Sequence, residues 1–149
     1  MAECDRDKYM DATHVRGWCR NGCYKKVEEF ITRCNDLPSL LLSRAGSCTF
    51  SHAILHEAVH NHHPKVVELL LHHAGGGEHV DSRSAGGYTP LHIAAGNGDV
   101  HSARVLLAYN ADTTIKDDFG RTALQTAQLC RKHAVVELLQ NGGECISTS

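Results

Sequence analysis

The stretch TPLHIAAGNGD at positions 89–99 decides the fold of this 149-residue chain. A threonine hydroxyl can cap the start of a helix, and a proline suits the first helical position, where no backbone N–H donor is needed. The pattern predicts that a helix begins at Pro90 and buries Leu91 and Ala94 on one face. Gly98 can adopt the left-handed conformation that ends such a helix. The stretch therefore predicts a short helix whose small residues let a neighbouring helix pack closely.

The same pattern recurs along the chain at nearly constant intervals. TALQTA at 122–127 lies 33 residues after TPLHIA at 89–94, and AILHEA at 53–58 lies 36 residues before it. The three extra residues are accounted for by the glycines at 75–77. A weaker copy lies a further 40 residues upstream, around Gly22. A period near 33 residues is typical of units that each contain two helices and bury their apolar faces by stacking.

These motifs and their period resemble the ankyrin repeat. The resemblance implies an all-α solenoid in which each repeat contributes two antiparallel helices, and hairpin-shaped fingers join one repeat to the next. We expect an N-terminal extension over 1–10, a repeat domain over 11–143 with repeats at about 11–46, 49–80, 84–116 and 117–143, and a tail over 144–149. The match is strong in the third repeat, good in the second and fourth, and poor in the first. Polar residues such as Arg16, Arg20 and Gln140 indicate that the first and fourth copies cap the two ends of the stack.

Composition excludes several other classes of protein. The net charge of -2 gives no basic field for nucleic acid, and no apolar run reaches the length of a membrane span. The N-terminal residues lack the apolar stretch of a secretory signal. Seven scattered cysteines, an odd number, predict reduced thiols in the cytoplasm or nucleus. Cys19 and Cys23 are spaced as helical metal ligands can be, but no second pair matches them, and we predict neither a metal site nor a cofactor.

One motif suggests catalysis. HEAVH at 56–60 matches the zinc-protease signature, in which two histidines on one helical face bind the metal and the glutamate is the general base. His56, however, occupies the position equivalent to His92, and the family resemblance implies a structural histidine there. Pro64 follows His60 too closely for a long active-site helix. We therefore expect a protein that is not an enzyme, with a zinc hydrolase using His56, Glu57 and His60 as the disfavoured alternative.

The resemblance also implies a binding surface, the concave face formed by the first helices and the finger tips. By register, the residues expected there are Phe50, His52, His60, Asn61, Tyr88, Asn97, Asp118, Phe119, Arg121 and Leu129. Tyr88 and Arg121 are residue types that often contribute most of the binding free energy at protein interfaces, and Phe119 is a further aromatic residue. Because Tyr88 and Arg121 occupy equivalent positions of successive repeats, we expect them to be neighbours.

The predicted function is non-catalytic binding of another protein by a monomer, as a small inhibitor or an adaptor. Three kinds of ankyrin protein remain open: small inhibitors of cyclin-dependent kinases, shortened viral proteins similar to inhibitor-of-κB proteins, and a piece of a larger scaffold. The sequence does not distinguish among them.

Overall fold

The computed structural model describes residues 17–33, 50–73, 80–84 and 86–141, without the side chains of residues 33 and 50–53. The helices are α1 (Tyr24–Arg33), α2 (Phe50–His60), α3 (Pro64–His73), α4 (Pro90–Asn97), α5 (Val100–Ala108), α6 (Ala123–Leu129) and α7 (His133–Gln140). Residues 17–20 are also helical, and no strand occurs in the described ranges. The expected extension over 1–10, the glycines at 75–77 and the tail over 144–149 lie outside these ranges.

The helices form two layers. Within a repeat, α2 packs on α3, α4 on α5 and α6 on α7. Between repeats, α2, α4 and α6 pack side by side as a first-helix layer, while α1, α3, α5 and α7 form a second-helix layer. This arrangement confirms the predicted all-α solenoid. None of the described helices has the length and apolar character needed to cross a membrane.

Equivalent alanines allow the first helices to approach one another. Ala58, Ala94 and Ala127 lie at the same position of three successive repeats, and each is completely buried. A larger side chain there would push neighbouring helices apart, since protein interiors are close-packed. Larger apolar residues such as Leu91 and Leu106 fill the space between the layers. Close packing of the first helices places their exposed residues in rows across the surface.

The predicted helix starts are confirmed at two repeats. The Thr89 hydroxyl accepts a hydrogen bond from the backbone N–H of His92. In turn, the Nδ1 atom of the His92 ring accepts a hydrogen bond from the backbone N–H of Thr89. Thr122 and Gln125 make the same reciprocal pair at the start of α6. Each pair satisfies two backbone donors that would otherwise lack partners.

The helix ends use left-handed residues, as the sequence predicts. Gly98 has a φ of 74°, and His62 and Arg131, at the equivalent positions, have φ values of 60° and 57°. Asn110, which stands where the family usually has glycine, has a φ of 62°. Residues with a Cβ adopt this conformation at a cost of about 1–2 kcal/mol, and asparagine tolerates it better than most. The ends of α2 and α6, at His62 and Arg131, are therefore less stable than a glycine would make them.

Candidate functional site: the fingers and the first-helix layer

Within the described residues, two fingers connect successive repeats. Finger A comprises residues 80–88, with residue 85 outside the description, and finger B comprises residues 110–121. The same hydrogen bond closes both tips: Ser84 N–H donates to the Tyr88 carbonyl, and Asp117 N–H donates to the Arg121 carbonyl, each at 2.9 Å. The two fingers therefore hold their last residues in matching orientations.

The fingers are also bonded to each other. The backbone N–H of Asp118 donates to the Gly86 carbonyl at 3.0 Å. The Arg83 guanidinium donates to the Lys116 carbonyl at 2.7 Å, and its nearest contact with the exposed Asp118 carboxylate is 3.9 Å. Finger A and finger B thus form one continuous surface.

Asp117 organises finger B. Its side chain is completely buried, and one carboxylate oxygen accepts the backbone N–H groups of Phe119 and Arg121, both at 2.9 Å. The other oxygen accepts the Nε–H of the Arg121 guanidinium at 3.1 Å. Burial alone would raise the pKa of Asp117, but the backbone hydrogen bonds from Arg121 and Phe119 and the charge of the Arg121 guanidinium outweigh it and leave the pKa lowered. The ionised carboxylate fixes both the turn and the Arg121 side chain.

Tyr88, Phe119 and Arg121 lie together at the finger tips, and we call them the finger cluster. The Arg121 guanidinium lies 4.8 Å from the centroid of the Phe119 ring, and one of its terminal nitrogens lies 3.5 Å from the Tyr88 hydroxyl. Phe119 is 71% exposed, and the Arg121 side chain is 35% exposed. The prediction that Tyr88 and Arg121 are neighbours is confirmed.

The other predicted residues are distributed over the first-helix layer. The Asn61 amide donates to the Glu57 carbonyl at 2.8 Å, and the Asn97 amide donates to the His60 carbonyl at 3.2 Å, which joins α4 to α2. His60 is exposed, as is Leu129 at 64%. The side chains of Phe50 and His52 lie outside the described residues.

Comparison with known proteins identifies the family. A family model described as ankyrin repeats (3 copies) matches residues 55–149. The chain belongs to the ankyrin-repeat family. It is therefore a protein–protein interaction module.

Individual relatives are similar over part of their length. The chain is 34% identical over 115 residues, 70% of its own length, to an ankyrin repeat protein of fowlpox virus, of which it covers 33%. It is 37% identical over 90 residues, 56% of its length, to the nuclear factor NF-kappa-B p105 subunit of Mus musculus, of which it covers 9%. The chain thus spans a third or less of these two relatives.

A solved structure matches nearly the whole chain. It is a chain in the crystal structure of the yeast ribosomal protein Rps3 in complex with its chaperone Yar1, with a TM-score of 0.74 and 27% identity. The match covers 89% of this chain and 95% of the other.

The residues of the HEAVH motif make structural contacts in this ankyrin-repeat protein. The His56 imidazole donates through Nε2 to the Tyr88 carbonyl at 3.0 Å. The Glu57 carboxylate binds the Arg20 guanidinium through two hydrogen bonds, of 3.1 and 3.3 Å, which raise the pKa of Arg20. Within the described ranges no group of three or more potential ligands could hold a metal ion. His56 and Glu57 thus tie the second repeat to its two neighbours.

Two elements of the surface were missed by sequence reasoning. Asp117 was not singled out, although its position four residues before Arg121 is a signal that the two side chains can pair across a turn. The Arg20–Glu57 ion pair was missed because the first copy of the repeat is too divergent to fix its register.

Proposed function

We propose that this ankyrin-repeat chain is a non-catalytic binding module whose partner docks on the fingers and the first-helix layer, and that the chain acts as an inhibitor or adaptor of that partner. The observation that carries the proposal is the finger cluster. An exposed aromatic ring, a half-buried tyrosine and a guanidinium are fixed in contact before any partner arrives. Because these side chains are already ordered, a partner binds them with a small loss of conformational entropy.

The distribution of exposed apolar side chains supports the same surface. Among the described residues, the large apolar side chains that are exposed are Tyr24, Phe119 and Leu129. Phe119 lies in the finger cluster, and Leu129 lies at the end of a first helix. Scattered single apolar residues are normal, but two on one side of a chain with 5% aromatic residues favour that side as an interface.

The second-helix layer offers a rival surface. It has a cavity of about 620 Å³ lined by Tyr24, Lys65, Glu68, Leu69, His72 and Tyr109. Three of the six lining residues, Lys65, Glu68 and His72, have ionisable side chains. Glu68 therefore reports on the cavity, and the exposed Arg104 of α5 reports on the rest of the second-helix layer.

The test is to capture the partner from cell extracts on the immobilised chain, identify it by mass spectrometry, and measure its affinity for variants. Y88A and F119A should each weaken binding by about 2 kcal/mol or more, with little change in thermal stability. E68A and R104A should each cost under about 0.5 kcal/mol. If the second-helix changes abolish binding and the finger changes do not, the proposed surface is wrong.

A regulator similar to inhibitor-of-κB proteins, or to the ankyrin inhibitors of cyclin-dependent kinases, is the more specific candidate. The similarity to the NF-kappa-B p105 subunit favours the first of these. Either role places the chain in the cytoplasm or nucleus, a compartment that suits the free thiols Cys19, Cys23 and Cys130. Capture of a transcription factor or of a cyclin-dependent kinase, from cytoplasmic or nuclear extract, distinguishes the two roles.

A further inference from the structure

Gly96 is a glycine in a helix at a position where the structure would accept a side chain. It lies inside α4, where glycine is less favourable than alanine because it loses more backbone freedom on folding. A Cβ added at Gly96 would approach only one atom beyond its chain neighbours and helix backbone, the Thr126 Cγ2 at 3.8 Å, which is an ordinary contact. Its φ lies outside the left-handed region. Neither packing nor backbone conformation therefore requires glycine at this position.

The missing side chain leaves a gap in a row of longer ones. Gly96 is equivalent to His60 in the preceding repeat and to Leu129 in the following one, and α2, α4 and α6 pack side by side. His60 and Leu129 are both exposed. First helices pack about 8–10 Å apart, so the gap between the two side chains is wide enough for a large side chain of another molecule.

His60 borders the gap on one side, and the other side chains around it carry no charge. Ile93, one turn before Gly96 on the same face of α4, is half-buried. Leu129 lies one turn after Thr126, the residue that borders Gly96. We call Ile93, Gly96, Thr126 and Leu129 the Gly96 notch. None of the four carries a charge, so a partner gains free energy here by burying apolar surface.

The nearby fingers have no strong field of either sign. Arg83, Lys116 and Arg121 carry three positive charges, and Asp81, Asp112, Asp117 and Asp118 carry four negative charges, so the described finger residues sum to -1. An acidic segment attracted to Arg121 would also be repelled by the exposed Asp118 carboxylate. Charge complementarity therefore favours a segment that is itself uncharged.

Arg121 retains hydrogen-bond donors for such a segment. A guanidinium has five N–H donors. The Nε–H of Arg121 goes to Asp117, and one Nη2–H points to the Tyr88 hydroxyl at 3.5 Å. A helix uses its own carbonyls internally, whereas an extended segment presents free ones. Leu129 lies about 9 Å along α6 from Ala123, and Arg121 lies two residues before α6 begins, so about four or five extended residues reach from one side chain to the other.

We propose that the Gly96 notch receives a large apolar side chain from an extended, uncharged segment of the partner, and that a backbone carbonyl of this segment accepts a hydrogen bond from Arg121. This inference rests on the proposed function, and it names the chemistry of the partner. In this proposal Gly96 serves binding and lowers the stability of α4, as residues at functional sites commonly do.

The test uses a displayed library of random linear peptides selected on the full chain. Selected peptides should be enriched in large apolar residues and not in charged ones. A synthetic copy of the best peptide should bind G96L at least about tenfold more weakly than the wild type, because the leucine fills the notch. The control A134L places an exposed leucine on α7 in the second-helix layer and should change the Kd less than about twofold. Raising the salt concentration from about 0.05 to about 0.3 M should change the Kd less than about twofold.

Stability separates blocking from misfolding. G96A should raise the Tm by about 2–4 °C, since alanine favours the helix and the methyl group fits, while the Kd of the same peptide weakens. If G96L unfolds, the Kd of the peptide for G96A is the measurement that tests the notch. A peptide that loses affinity for F119A but binds G96A and G96L normally overturns the notch and leaves the proposed function intact. A peptide that tolerates all three changes but loses affinity for E68A contradicts the proposed function itself. A library that yields only charged motifs, or no binder, overturns the notch proposal.

Discussion

Three buried polar side chains hold the finger cluster in place: two histidines bond it to the first helices, and Asp117 acts within finger B. His56 donates to the Tyr88 carbonyl, and the equivalent His92 donates to the Arg121 carbonyl at 2.9 Å. Asp117 then fixes the Arg121 side chain from within finger B. Each residue of the finger cluster is therefore held by a polar group with little exposure to water, and loss of either histidine leaves the carbonyl that it bonds with a single backbone donor, from Ser84 or Asp117.

At the residue scale, the two histidines of the HEAVH motif should behave differently. H56A should lower the free energy of unfolding by about 1–3 kcal/mol, because the buried imidazole is lost and the Tyr88 carbonyl keeps only the Ser84 N–H as a donor. H60A is the matched control on the same helix, and since His60 is exposed the change should cost under about 0.5 kcal/mol. Urea denaturation gives both values. A zinc enzyme would instead bind near-stoichiometric zinc and cleave peptides, and both variants would lose these properties alike.

Asp117 makes a second residue-scale prediction, which concerns pH. A carboxyl whose folded pKa is lowered adds stability above its unfolded pKa of about 3.9, and this stability is lost as the pH falls through the lowered folded value. D117N should therefore be less stable than the wild type at pH 7, and the difference should shrink below about pH 4. Thermal melts from pH 7 to pH 2.5 measure this. D118N removes the same charge from an exposed neighbour; if it reproduces the effect, Asp117 has no special role.

At the scale of elements, the helices are predictable because the TPLH pattern specifies their starts and the left-handed residues their ends. The capping pairs at Thr89 and Thr122 confirm this. The contact of Tyr88 with Arg121 followed from register alone. The hydrogen bond between the Arg83 guanidinium and the Lys116 carbonyl could not be predicted from the sequence. Periodicity aligns the repeats but carries no information on the direction in which a long side chain points.

The left-handed arginine at the end of α6 gives an element-scale prediction. R131G should raise the free energy of unfolding by about 0.5–1 kcal/mol, because relief of strain at a φ of 57° exceeds the entropic cost of glycine. H62G should gain less, since it also removes the 3.4 Å contact between His62 and the buried Asp99 carboxylate. Equilibrium denaturation compares the two; an equal gain would mean that the His62–Asp99 contact contributes nothing.

At the scale of the whole molecule, stacking of the repeats places residues that are about 33 positions apart in sequence next to each other on one surface. In the described part of the chain, the helices of one repeat pack against those of the next, so equivalent positions form rows across the first-helix layer and the fingers. The residues that we propose to face the partner are positions at which the rows depart from a structural role: Phe119 exposed at a finger tip, Leu129 exposed at a helix end, and Gly96 with no side chain between longer ones. A partner that spans several rows would contact a combination of side chains that no single repeat supplies.

Hydrogen exchange of the chain with and without its captured partner tests the central claim most directly. Binding should slow exchange of the backbone amides in finger A, finger B and the ends of α4 and α6, and leave α3 and α5 unchanged. Slower exchange confined to α3 and α5, around the cavity between Tyr24 and Tyr109, would contradict the claim that the fingers and the first-helix layer bind the partner.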